Sequence, residues 1–370
     1  MRILYGVVGE GMGHAMRSRV ILDRLTQSHD VQVMVSNRAY EFLRKRFAGV
    51  NRIWGLTLAY EDNEVQKRLT LLENATAALT GLPENIASYF ELLQKFQPEL
   101  VISDFESWTY FYGKAHRLPI IDVDNMQIIN RCQHDPALVR GHERELQLTK
   151  ALIKSKLPFC SHYVISTFFY PPVRKGRTTL VPPILRPEII AARSQVRRGD
   201  HLLVYQTSDM NAGLADVLHA TGLECRIYGV RRQITEEQVE GNLRYRPFSE
   251  AGFIEDLATS RGVVAGGGFT LMGEAVYLRK PMLSVPVAGQ FEQVINGLYL
   301  EQLGYGQMAA ELDVDVVKRF VAAIPACEDA LSHYDQPGND RVFEVLDELL
   351  ARAAAGLLNT VGRQAEIEEA

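Results

Sequence analysis

The segment Val263-Val264-Ala265-Gly266-Gly267-Gly268-Phe269-Thr270-Leu271-Met272-Gly273-Glu274-Ala275 decides how the chain is read. An apolar run, three glycines and the opening of a helical pattern spell a strand, a tight turn and a helix N-terminus. Glycines expose backbone N–H groups there, and the helix dipole favours an anion, so a diphosphate fits the loop. The spacing is not that of a P-loop and its lysine is missing, which argues against a nucleoside triphosphatase. Just downstream, Lys280-Pro281-Met282-Leu283-Ser284-Val285-Pro286 reads as a buried strand between prolines. It leads into Gly289-Gln290-Phe291-Glu292-Gln293-Val294-Ile295-Asn296, where Glu292 and Gln293 suit the hydroxyls of a sugar.

Working outward, the same alternation of short apolar runs with helical patterns fills both halves of the chain. His201 to Gln206, Cys225 to Tyr228, Leu243 to Tyr245, Gly262 to Ala265 and Met282 to Val285 read as one strand series. Ile3 to Val8, Val31 to Ser36, Leu100 to Ser103, Ile120 to Val123 and Tyr163 to Thr167 read as another. Between them Pro171-Pro172, Pro182-Pro183 and Pro187 impose an extended path. The pattern predicts an α/β chain of two Rossmann-like domains facing each other across a cleft, with ligands beyond the carboxyl ends of the strands. We place the first domain at residues 1–186, a linker at 187–199, the second domain at 200–345, and a helix and tail at 346–370 as a candidate to pack back on the first domain.

The first strand also runs into glycines, Gly9-Glu10-Gly11-Met12-Gly13-His14, ahead of a helix from Ala15 to Gln27. A dinucleotide fingerprint needs G-x-G-x-x-G and an acidic residue closing the second strand, whereas this loop is G-x-G-x-G-H and that strand ends Ser36-Asn37. His14 stands where a side chain projects from the sheet top into the cleft, which suits a general base for a hydroxyl; a plain helix-capping histidine is the alternative. Leu100-Val101-Ile102-Ser103-Asp104 delivers a carboxylate to the same sheet edge. Asp104 bonded to one imidazole nitrogen would fix the tautomer and stabilise the imidazolium. Capping of the helix near Ser107 is its other reading, and Glu106 competes for either role.

The 370 residues exceed what one core usually supports. A net charge of -5 supplies no overall attraction to nucleic acid. Four scattered cysteines, Cys132, Cys160, Cys225 and Cys327, form neither a zinc pattern nor a disulfide framework and suit a reducing cytoplasm. No apolar run reaches the ~18 residues of a spanning helix.

With these motifs in place, Ala265 to Gly304 resembles the donor-binding segment of GT-B glycosyltransferases of the UDP-glycosyltransferase and MurG type. Gly-Gly-Phe-Thr, Glu274-Ala275, Lys280-Pro281, Pro286 and Glu292-Gln293-x-x-Asn296 fall in the family's order, and Gly-x-Gly-His14 and Ser103-Asp104 match as well. The resemblance implies transfer of a sugar from a nucleoside-diphosphate donor, with UDP favoured, to a small-molecule or lipid hydroxyl, without any other cofactor. It implies that Gly267, Gly268, Phe269 and Thr270 hold the diphosphate, Glu274 the ribose hydroxyls, and Glu292 with Gln293 the transferred sugar. Arg246-Pro247-Phe248 would receive the nucleobase, Gln206-Thr207-Ser208 would form the first donor loop, and Gly11-Met12-Gly13 would face the acceptor. His14 would be the base and Asp104 its partner, in a single inverting displacement. Gly266 stands where many plant-type members carry a phosphate-contacting histidine, so backbone amides or Thr207 and Ser208 would replace it. A sugar-nucleotide 2-epimerase and a non-catalytic sugar-nucleotide-binding protein are the rival readings.

Two further features carry expectations. Asp122-Val123-Asp124 has the D-x-D spacing of metal-dependent transferases of another fold, but it ends a strand of the first domain; we read it as structural and expect no essential metal. From Arg38 to Phe47, Tyr40, Phe42, Leu43 and Phe47 interleave with Arg38, Arg44, Lys45 and Arg46, a candidate for peripheral contact with the inner face of a membrane. Its alternative is an ordinary amphipathic helix buried on one face.

Overall fold

The computed structural model describes residues 1–9, 11–53, 60–61, 64–65, 89–206 and 213–358. The first domain begins with β1 (Arg2–Val7), β2 (Asp30–Val35) and β3 (Val50–Arg52), and a short antiparallel pair, β4 (Tyr60–Glu61) with β5 (Glu64–Val65), stands apart. β6 (Leu100–Asp104), β7 (Ile120–Asp124), β8 (His162–Ser166) and β9 (Thr178–Val181) complete it. The sheet order is β3-β2-β1-β6-β7-β8-β9, with every pairing parallel. β6 and β7 are buried along their whole length, which is why each opens on an apolar run before ending in aspartate.

The second domain repeats the scheme with β10 (Leu202–Tyr205), β11 (Cys225–Tyr228), β12 (Gln238–Glu240), β13 (Leu243–Tyr245), β14 (Gly262–Ala265), β15 (Met282–Ser284) and β16 (Gly306–Met308). Its order is β12-β13-β11-β10-β14-β15-β16, parallel except for the edge pair β12 and β13. In each sheet the run of parallel strands reverses its order at one point, between β1 and β6 and between β10 and β14, the antiparallel edge strand β12 aside. The loops leaving adjacent strands diverge there and open a crevice, and both glycine loops rise from such a point.

Part of the proline-rich stretch is a strand: β9 pairs with β8 before Pro182-Pro183, which cannot donate to a ladder, end it. The chain then enters a helix, Pro187–Ala192, and crosses to the second sheet. The helix Asp340–Ala354 comes back, and Val342, Val345, Leu346, Leu349 and Leu350 pack into the apolar cluster of β1, β2 and β6. Another cluster runs through both domains, and in it Phe169 stacks on Tyr299 at 4.0 Å between ring centroids and Phe168 on Phe269 at 5.9 Å.

The helix Asn37–Leu43 buries Leu43 completely, and Tyr40, Phe42 and Phe47 pack against the same first-domain cluster. Arg38, Arg44, Lys45 and Arg46 face outward together with Glu41, which pairs with Arg44, so the exposed side of the stretch is charged while its large apolar side chains pack inward. Among the described residues no helix is long and apolar enough to cross a membrane. All four cysteines are buried and unpaired.

Candidate active site

β1 and β6 lie side by side, with Val7 opposite Asp104, so His14 and Asp104 reach one sheet edge from adjacent strands. Gly11 caps the helix Met12–Leu25 in an extended conformation, and His14 sits in its first turn. His14 Nδ1 lies 2.7 Å from Asp104 Oδ1. Asp104 also accepts from Arg17 Nη2 at 2.5 Å, from Arg17 Nε at 3.1 Å and from Ser18 Oγ at 2.9 Å. Burial alone would push this carboxyl up, but Arg17 and His14 hold it down to about 2, so it is an anion. An ionised Asp104 takes the Nδ1 proton as a hydrogen-bond donor, which leaves Nε2 as the basic nitrogen. Nε2 has no hydrogen-bond partner among the described residues, and the imidazole is one-fifth exposed.

Glu106 takes a different role. Phe105 adopts a left-handed φ of 54°, turning the chain sharply after Asp104. Glu106 then caps the helix Ser107–Ala115, accepting from the Trp108 and Thr109 amides at 2.6 and 2.7 Å. Asp104, not Glu106, meets His14.

Facing this pair across the cleft is the loop after β14. Gly268 caps the helix Phe269–Tyr277, and nothing stands within 4 Å of where a Cβ on Gly268 would be. Gly13 packs on Thr270 closely enough that a Cβ there would lie 2.8 Å from the Thr270 hydroxyl, so the His14 segment and the glycine loop after β14 touch. Phe269 is buried in its stack with Phe168. Glu292 Oε1 accepts from Asn296 Nδ2 at 2.8 Å and, across the cleft, from Asn125 Nδ2 at 2.7 Å. Burial pushes the Glu292 carboxyl up, while Asn296, Asn125, His14 and Arg17 pull it back.

Other expected donor contacts have partners within the protein. Gln293 Oε1 accepts from the amides of Gly267 at 3.1 Å and Val287 at 2.9 Å, so this side chain shapes the loop. Glu274 is buried, and both its oxygens accept from Arg186, at 2.7 and 2.8 Å, so neither is open to a ribose as the protein stands. A guanidinium enclosed where the linker leaves the first domain requires a carboxylate, and Glu274 of the second domain supplies it. Arg246 is engaged with Asp256 and Glu237, whereas Phe248 of the same loop is 73% exposed. Gln206 follows β10 with its backbone N–H donating to the Tyr228 carbonyl. Thr207 and Ser208 lie outside the described residues. Asp122 and Asp124 are enclosed in the sheet, where they accept from the Phe105 and Gln127 amides. Among the described residues no group of three His, Cys, Asp or Glu is placed to hold a metal.

Sequence reading missed Arg17, Ser18, Asn125 and Arg186. Arg17 lies one helical turn after His14 and so shares its face, a signal that i, i+3 spacing carries. Nothing comparable marks Asn125 or Arg186.

The sequence model of glycosyl transferase family 1 matches residues 1–325. An uncharacterized glycosyltransferase of Methanosarcina acetivorans is 22% identical over 355 residues, covering 83% of this chain and 85% of that protein. Among solved structures, MurG of Acinetobacter baumannii aligns with a TM-score of 0.59 at 12% identity, over 95% of this chain and 100% of its own. Phytolacca americana UGT2, complexed with UDP-2fluoro-glucose and pterostilbene, aligns with a TM-score of 0.58 at 14% identity, over 96% and 100%. Two facing Rossmann-like domains, a histidine–aspartate pair opposite a glycine-rich helix N-terminus, and a family match over most of the length lead to one conclusion: the chain is a GT-B glycosyltransferase and belongs to glycosyl transferase family 1.

Proposed function

We propose that the protein transfers a sugar from a UDP-sugar to a hydroxyl of a small-molecule or lipid acceptor, by single displacement with inversion and without a metal. The observation that carries this reading is the 2.7 Å contact of His14 Nδ1 with an ionised Asp104, which leaves Nε2 to take a proton beside the donor loop. His14 Nε2 accepts the acceptor's hydroxyl proton as the oxygen bonds to the anomeric carbon. The bond from that carbon to the diphosphate oxygen breaks, and the nucleoside diphosphate departs with the electron pair. The amides from Gly268 to Thr270 and the helix dipole behind them are oriented beforehand to stabilise the charge that develops, on a loop that Gln293 shapes through the Gly267 amide. A metal is not called for in this scheme, since these groups meet the leaving diphosphate. The UDP preference rests on structural relatives such as the plant enzyme with its UDP-2fluoro-glucose.

Two measurements test the proposal. Calorimetric titration with UDP, dTDP and GDP in chelator should show binding of one diphosphate, with UDP tightest; binding that appears only after manganese is added contradicts the metal-free site. His14→Ala should lower kcat by about 100-fold or more while leaving diphosphate affinity unchanged. Full kcat in that variant at neutral pH removes His14 from the base role.

A further inference from the structure

A continuous hydrogen-bonded line connects the His14–Asp104 pair to the donor loop, and it crosses the cleft at one point. Arg17 holds Asp104 with Nε and Nη2 and donates from Nη1 to Asn125 Oδ1 at 2.9 Å. This contact fixes the Asn125 amide, so its Nδ2 faces the second domain and donates to Glu292 Oε1 at 2.7 Å. Asn296 donates to the same oxygen and lies 3.1 Å from the Gly267 carbonyl. Arg17, Asn125 and Asn296 are 3%, 5% and 1% exposed, so these bonds are shielded from competing water. Glu292 Oε2 has no hydrogen-bond partner among the described residues.

We propose that Arg17 and Asn125 are positioning residues that lock Asp104, and through it His14, to Glu292, so that the base is aligned only when the carboxylate facing the sugar is in place. The inference rests on the transferase reading above. It gives Asn125 a polar requirement: the side chain must accept from Arg17 and donate to Glu292. Aspartate has the same shape and meets only the first demand, so shape and hydrogen-bond polarity can be separated.

The experiment compares kcat/KM for the wild type, Asn125→Asp, Glu292→Gln and the double variant N125D/E292Q, with UDP affinity by calorimetry. Asn125→Asp should lose about 30-fold or more in kcat/KM at unchanged UDP affinity, because two carboxylates then face each other across the cleft. In N125D/E292Q the glutamine turns its Nε2 to the aspartate in place of the Oε1 that both asparagines reach, so the cross-cleft bond re-forms with reversed polarity while Asn296 keeps the Gly267 carbonyl. Activity should recover at least about tenfold over Asn125→Asp. Asn125→Asp with near wild-type kcat/KM, or a double variant whose loss is the product of the single losses, overturns the inference. The same cycle read by urea unfolding needs no substrate, and additive effects there overturn it too. Should Asn125→Asp fail to fold, Arg17→Lys takes its place, since one ammonium cannot bridge Asp104 and Asn125 as the guanidinium does. It should lower kcat about tenfold at constant UDP affinity, and unchanged kcat counts against the proposal. A wild type that binds no nucleoside diphosphate sinks the transferase reading itself, a result distinct from an active wild type with additive losses.

Discussion

Asp104, Asp122 and Asp124 are three buried carboxyls gathered around one guanidinium. Arg17 bonds directly to Asp104 alone, so burial dominates at the others, raising Asp122 well above the ordinary range and Asp124 to about 7. The folded protein therefore keeps a proton on Asp124 at pH values where the unfolded chain, with an ordinary value near ~3.9, has released it. Stability from this group is complete below about pH 4 and falls as pH rises toward about 7, by up to ~4 kcal/mol. Asp124→Asn cannot ionise, and its oxygen can still accept from Gln127. Urea unfolding at pH 5 and pH 8 should show the wild type losing more stability across the interval than the variant, and parallel losses would refute the assignment. Residue-level legibility was uneven for related reasons. His14 and Asp104 could be read because each follows a strand that ends at the cleft. Arg17 could not be told from a solvated helix arginine until Asp104, 87 positions away, was seen to hold it.

At the scale of elements, the glycine loop after β14 is built by what packs beneath it. A Cβ on Gly267 would stand 2.5 Å from the Gln293 carbonyl oxygen and Cβ, and 2.7 Å from its Cα, so the helix Phe291–Gln302 sits directly against this glycine. Gly267→Ala should displace the first turn of that helix, costing about 1–3 kcal/mol and weakening nucleotide affinity. Gly268 has open space and an ordinary φ of -63°, so Gly268→Ala should stay within about 1 kcal/mol of the wild type. It should still weaken nucleotide binding, because its methyl stands where a phosphate would approach the amides. Thermal melts and calorimetry on the pair separate packing from ligand approach, and a Gly267→Ala protein with unaltered melting and affinity would contradict this account. Strands with neighbours on both sides were legible because burial on both faces demands an apolar run. Val50–Arg52, Thr178–Val181, Gln238–Glu240 and Gly306–Met308 went unread, and all four are sheet edges. An edge strand of three or four residues has one ladder and tolerates Asn, Arg, Gln and Glu, so its sequence carries little signal.

For the whole molecule, the chain path ties the domains together at both ends of the second one. Arg186 at the linker is bound by Glu274 and Glu250, and Glu250 also accepts from Arg19 on the helix that carries His14. The helix Asp340–Ala354 then returns to cover the first domain, placing Val342, Leu346 and Leu349 at 0%, 2% and 2% exposure against its sheet. The glycine loop after β14 and its sheet are built from residues 202–308, and the core behind β10, β11 and β14 is completed by Val317, Phe320 and Ile324. Damage to the returning helix should therefore be felt in the first domain and not in the second. Leu346→Ala leaves a cavity against the first sheet and should cost about 3 kcal/mol of stability. UDP affinity should stay within about twofold of the wild type, because no residue of the donor loop contacts that helix through the shared cluster. Urea unfolding followed by calorimetry on the folded variant checks both halves of the expectation. A Leu346→Ala protein that loses nucleotide affinity in proportion to its stability would mean that the two domains unfold and bind as a single cooperative unit.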